Sequence, residues 1–98
     1  MEINKDIQEK VMKLKLSGRL DTTTSPQLEQ ELNASLDGIE DLQLDFSELD
    51  YISSAGLRVL LSAQKKMNKQ GAMSISGVND TIAEIFEVTG FSDILTIV

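Results

Sequence analysis

The chain has 98 residues, 41% of them apolar but only 4% aromatic, and 9 basic against 16 acidic side chains leave a net charge of −7. So short a chain is expected to form one domain, residues 1–98, around an aliphatic core; its acidity repels a phosphate backbone, which argues against nucleic acid and for a partner with a basic face. Cysteine and histidine are absent, which excludes disulfides and thiol chemistry and removes the usual general base and the commonest zinc ligand.

Met1 to Ile7 is weakly strand-like, with Ile3 and Ile7 as its apolar points. Gln8-Glu9-Lys10 makes a polar turn. Val11 to Ser17 alternates, Met12, Leu14 and Leu16 on one side and Lys13 and Lys15 on the other, which is the pattern of a strand with one wet face. The two runs predict a hairpin. Gly18-Arg19-Leu20-Asp21 leaves the strand. Thr24 or Ser25 can cap the helix that follows, Pro26 fits its first turn, and Thr24 with Gln27 matches a capping box. Leu28, Leu32 and Leu36 form its apolar stripe, and Gly38 stops it.

A strand near Ile39 to Phe46 comes next, with Leu42, Leu44 and Phe46 on one side, followed by a polar turn from Ser47 to Asp50. Ser53-Ser54-Ala55-Gly56 opens a second helix, whose Leu57, Leu60, Leu61 and Met67 fall at helical spacing. Lys65, Lys66 and Lys69 crowd its C-terminal end, as the helix dipole prefers, and Gly71 ends it. Ala72 to Ser76 reads as a strand. Gly77 to Asp80 turns into a third helix, with Thr81 and Glu84 as a capping box and Ile82, Ile85, Phe86 and Thr89 on one face. Gly90-Phe91 reads as a left-handed stop with an apolar contact behind it. Ile94 to Val98 is a last strand or a packed tail. The order β-β-α-β-α-β-α predicts an α/β fold: a mixed sheet of four to five strands, parallel where helices intervene, with the helices mainly on one face.

The serine pair is the first candidate site. Four unpaired amides and the positive end of a dipole lie at a helix mouth. One hydroxyl can cap the helix; a phosphate there would add about −1.5 to −2 charges and alter docking without changing the fold. Gly56 reads as close packing against the sheet, and less readily as a place where a partner approaches the backbone. Asp21 and Asp45 follow apolar strand residues and could share a sheet edge with Ser54, as a magnesium pair or, the favoured reading, as turn aspartates. Asp45 at a strand end is the one support for an aspartyl phosphoreceiver. No GxSxG, SxxK, Walker A or GxGxxG motif is present, so no catalytic residue, cofactor or metal is expected. Without an apolar stretch of about 18 residues or a signal-peptide pattern, no membrane insertion is expected, and the cytosol is the expected compartment.

At these residues the chain resembles a STAS domain of the bacterial anti-sigma factor antagonist family. Asp45-Phe46-Ser47, Ile52-Ser53-Ser54-Ala55-Gly56-Leu57, Gly18-Arg19-Leu20-Asp21 and the Phe86 to Phe91 helix end carry the likeness, which covers essentially the whole chain. The resemblance implies a partner-switching protein, monomeric when free. An anti-sigma factor with serine kinase activity is bound by the unphosphorylated form and released on phosphorylation, so that a sigma factor is freed or recaptured. A serine phosphatase resets the switch, and ATP belongs to the kinase. The acceptor aligns with Ser54. The docking surface would comprise Asp21, Thr22, Thr23, Thr24, Ser53, Ala55, Gly56 and Arg58. Ser53 stands where the family usually has aspartate, which makes it a rival acceptor, and Ala55 replaces a second hydroxyl. STAS domains that serve as unphosphorylated scaffolds in transporters or larger signalling complexes supply the alternative reading.

Overall fold

Alternation of Met12, Leu14 and Leu16 with Lys13 and Lys15 puts every second side chain of one strand into the core. The same holds for Leu42, Leu44 and Phe46 in the strand beside it. In the computed structural model, which describes residues 1–98, the elements are β1 (Glu2–Gln8), β2 (Val11–Leu20), α1 (Ser25–Ser35), β3 (Asp41–Ile52), α2 (Ser54–Asn68), β4 (Ala72–Ser76) and α3 (Asp80–Thr89), followed by a 3₁₀ turn (Phe91–Asp93).

The sheet order is β1-β2-β3-β4. The predicted hairpin makes β1 and β2 antiparallel; β2/β3 and β3/β4 are parallel. One cluster of 23 buried residues joins the inward faces of β2, β3 and β4 to Leu28 and Leu32 of α1, Leu57, Leu60 and Met67 of α2, and Ile82 and Phe86 of α3. The opposite face of the sheet carries Lys13, Lys15, Gln43 and Asp45. The tail is intermediate between the two predicted outcomes: Ile97 makes a single parallel bridge with Ile75 of β4.

The largest departure from expectation is β3. Ser47 to Asp50 is not a turn: the strand runs unbroken to Ile52. Its register against β2 slips twice, Lys15 facing Asp45 while Ser17 faces Glu48, and Gly18 facing Leu49 while Arg19 faces Tyr51. Each slip inserts one extra residue into β3, a β-bulge. Buried Phe46, Leu49 and Ile52 are therefore three apart, and the polar residues between them imitate a turn. β2 likewise continues through Gly18 and Arg19 to Leu20.

Both expected capping boxes are absent. Thr24 precedes α1 with helical backbone angles and no side-chain cap bond, because its hydroxyl is engaged in the preceding loop. The α3 cap is Asn79, whose Oδ1 accepts the Ile82 N–H at 2.8 Å while its Nδ2 donates to the Leu49 carbonyl at 3.0 Å, tying the helix start to the second bulge. The α3 stop is as expected: Gly90 sits at φ 81°, which glycine adopts without steric cost, and half-buried Phe91 packs on the core behind it.

Candidate functional site

Three segments meet where β2 and β3 end and α2 begins. The first is the loop after β2. Asp21 Oδ1 accepts the N–H groups of Thr23 at 3.0 Å and Thr24 at 3.1 Å. The Thr24 hydroxyl accepts the Asp21 N–H at 2.9 Å and donates to the Arg19 carbonyl at 2.7 Å, and the Ser25 hydroxyl donates to the Asp21 carbonyl. The Thr24 amide above all holds the Asp21 carboxyl below its ordinary range; desolvation, next in size, opposes it, and the Thr23 amide, the Thr24 hydroxyl and the Arg19 charge add to the lowering. The loop is thus an aspartate-centred turn that favours the ionised carboxylate.

The second segment is the end of β3. The Ser53 N–H donates to the Leu20 carbonyl at 2.9 Å, extending the β2/β3 pairing by one step. Arg19 stacks on Tyr51, its guanidinium carbon 4.6 Å from the ring centroid, and its Nε lies 3.7 Å from Asp21 Oδ2.

The third is the first turn of α2. Ser53 occupies the cap position in extended conformation but makes no side-chain cap bond. Its hydroxyl is sealed from solvent without a partner. Ser54, the first helical residue, is exposed. The two candidate acceptors therefore differ in access. Gly56 is buried: a Cβ there would stand 2.8 Å from both Leu20 Cγ and Ile52 Cγ1, so this glycine lets the helix sit down on the two strand ends and is not itself available to a partner. Arg58 is exposed one turn beyond Ser54. Thr22, Ala55 and Arg58 line a shallow hollow of about 240 Å³ that also takes in Pro26 and Glu29 of α1.

The structure thus brings Asp21, Thr22, Thr23, Thr24, Ser53, Ser54, Ala55 and Arg58 to one end of the domain, with Gly56 beneath them. It does not bring Asp45 there. That residue lies within β3, roughly 20 Å of extended chain before Ile52. Its carboxylate accepts the Ser47 N–H at 2.8 Å at the first bulge. That bond first, then the Ser47 hydroxyl and the Lys15 charge, holds its carboxyl below the usual range, with desolvation opposing. The magnesium pair and the strand-end phosphoreceiver are corrected accordingly, since the strand does not end at Asp45; no cluster of three or more potential metal ligands exists. Arg19, Tyr51, Pro26 and Glu29 belong to this end of the domain but were not legible as such. Arg19 and Tyr51 face each other only through the bulged register.

A family model described as "Mlab, STAS domain" matches residues 3–97. The chain belongs to the STAS domain family. This STAS domain is 32% identical over 97 residues to an anti-sigma-B factor antagonist of Staphylococcus aureus, covering 97% of this chain and 90% of that one. The crystal structure of an anti-sigma factor antagonist from Mycobacterium paratuberculosis superposes with a TM-score of 0.87 at 23% identity, over 98% of this chain and 83% of the other. The Bacillus cell fate determinant SpoIIAA in its phosphorylated form matches with a TM-score of 0.77 at 14% identity, over 99% and 91% of the two chains. These structural likenesses bear on the fold of the STAS domain, a four-stranded mixed sheet with three helices. No helix of the domain is long and apolar enough to cross a membrane.

Proposed function

We propose that this STAS domain is an anti-sigma factor antagonist, a cytosolic protein that acts by binding and is switched by phosphorylation of Ser54. Unmodified, it docks an anti-sigma factor with serine kinase activity through the Asp21 to Thr24 loop and the start of α2, and so frees a sigma factor. In the switching step the γ-phosphoryl group of ATP passes to Ser54 Oγ. Its bond to the β,γ-bridging oxygen breaks, ADP leaves, and the hydroxyl proton goes to a base on the kinase. The added charge ends docking, and a serine phosphatase restores it. The observation that carries this reading is the exposed Ser54 hydroxyl at the first residue of α2, beside a loop held rigid by Asp21. A helix N-terminus favours the phosphate it would bear, so the scaffold survives while the surface changes. Ser53 supports the choice by contrast, because its hydroxyl is closed to solvent.

The test is native co-purification of the wild type and of Ser54→Asp. A kinase-fold partner recovered with the wild type and lost with Ser54→Asp, and able with ATP to add one phosphate to the wild type but none to Ser54→Ala, supports the reading. Recovery of a membrane ATPase complex instead, equally with both proteins, overturns it.

A further inference from the structure

Arg58 stands apart among the nine basic residues. Lys5, Lys10, Lys15, Arg19 and Lys66 are each paired with a carboxylate. Of the four that are not, Lys13 lies on the open face of the sheet. Lys65 and Lys69 are at the far end of α2, Lys65 roughly 16 Å along the axis from Ser54. Arg58 is the one unpaired cation near the serine. It is exposed and occupies the i+4 position of the same helix, where neighbouring Cβ atoms stand about 6 Å apart.

The direction of the helix matters here. Side chains lean toward the N-terminus, so Arg58 leans back over the turn that begins with Ser54. An anion at i with a cation at i+4 is the favoured order. A guanidinium can also grip a phosphate through two parallel N–H···O bonds, which a lysine cannot.

We propose that Arg58, which lines the hollow with Thr22, Pro26, Ala55 and Glu29, is the internal receiver of the phosphate on Ser54: modification folds its guanidinium onto the mouth of α2. The proposal rests on Ser54 being the acceptor. It deepens that reading by changing what the modification does. In the unmodified state Arg58 offers a cation to the partner beside the carboxylate of Glu29. In the modified state that cation is spent on the phosphate, and the docking surface loses a positive group as it gains a negative one. Arg19 is the competing receiver, but it is already held by the Tyr51 ring and the Asp21 carboxylate.

The experiment places phosphoserine at position 54 during synthesis, so that its outcome does not depend on any kinase. The phosphate is titrated by phosphorus-31 NMR in the folded protein and in the Arg58→Gln, Arg58→Lys and Arg19→Gln variants. Phosphoserine loses its second proton near pH 6, and the helix mouth acts equally in all four proteins. With the receiver in place, the midpoint lies about a third of a pH unit higher in Arg58→Gln than in the otherwise unchanged chain. Arg58→Lys falls between them, and Arg19→Gln titrates like the parent. Identical titration of the parent and Arg58→Gln overturns the proposal, as does a displacement produced by Arg19→Gln in its place. Neither result touches the assignment of Ser54, which stands or falls on co-purification.

Discussion

The backbone N–H of Ser53 donates to the carbonyl of Leu20 across 2.9 Å. Through this bond the residue before the candidate acceptor is fixed to the end of β2, and the Asp21 loop starts at the residue that follows the strand. Loop and helix mouth are thereby two parts of one rigid corner.

Ser54→Asp is expected to weaken binding of the kinase partner at least tenfold, about 1.4 kcal/mol, while Ser54→Ala binds like the wild type and no longer responds to ATP. Both should keep the wild-type stability to within about 0.5 kcal/mol, because the side chain is exposed. Calorimetric titration against the recovered partner, alongside thermal melts, separates the two effects.

Ser53→Ala removes a sealed hydroxyl that has no partner. Ordinary loss of a serine cap costs about 1 kcal/mol. Here no cap bond exists to lose, so the expected change is under about 0.5 kcal/mol. Phosphate incorporation should remain at one group per chain by intact mass; its disappearance would make Ser53 the acceptor.

Gly56→Ala forces a methyl against Leu20 and Ile52, both fully buried. Overpacking of about 1–3 kcal/mol outweighs the gain in helix propensity of up to about 1 kcal/mol. A net loss of about 1–2 kcal/mol is expected in urea denaturation, with docking weakened as α2 lifts from the strand ends.

Asp21 should mark the acid limb of stability. Its carboxyl is held down in the folded state, chiefly by the Thr24 amide. The stabilisation is therefore fully present above the unfolded value of about 3.9 and is lost as pH falls through the lower folded value. Asp21→Asn retains an acceptor oxygen but not the charge. Its melting temperature should decline less steeply than the wild type's below about pH 4. Equal slopes would remove the ionised turn.

Asn79→Ala deletes both the α3 cap and the bond to the Leu49 carbonyl, for an expected loss of about 2 kcal/mol by chemical denaturation. Asn79→Ser restores a capping oxygen but cannot span to Leu49, and should recover about half.

The alternation of β2 and the helical stripes of α1 and α2 were legible because side-chain spacing there follows an ideal period. The far half of β3 was not, because two bulges change the interval between Phe46, Leu49 and Ile52 to three. The polar residues this leaves outward are those a turn would use. The caps failed for a related reason. Thr24 has capping chemistry, but Asp21 and Arg19 claim its hydroxyl first, and that competition is tertiary. Ser54 and the Asp21 loop were recognisable from local motif chemistry. The Arg19–Tyr51 stack was not, since two residues 32 apart became neighbours only through the shifted register.

Pinning the serine turn to a strand end has a consequence for how a kinase could reach it. Ser54, at the first turn of a helix whose cap residue is bonded to the end of β2, cannot be drawn out into a kinase cleft as a loose peptide without breaking that bond and unwinding the helix start. A kinase acting on Ser54 would instead have to read a folded shape, so a short peptide of the same residues should be a far poorer substrate than the intact domain.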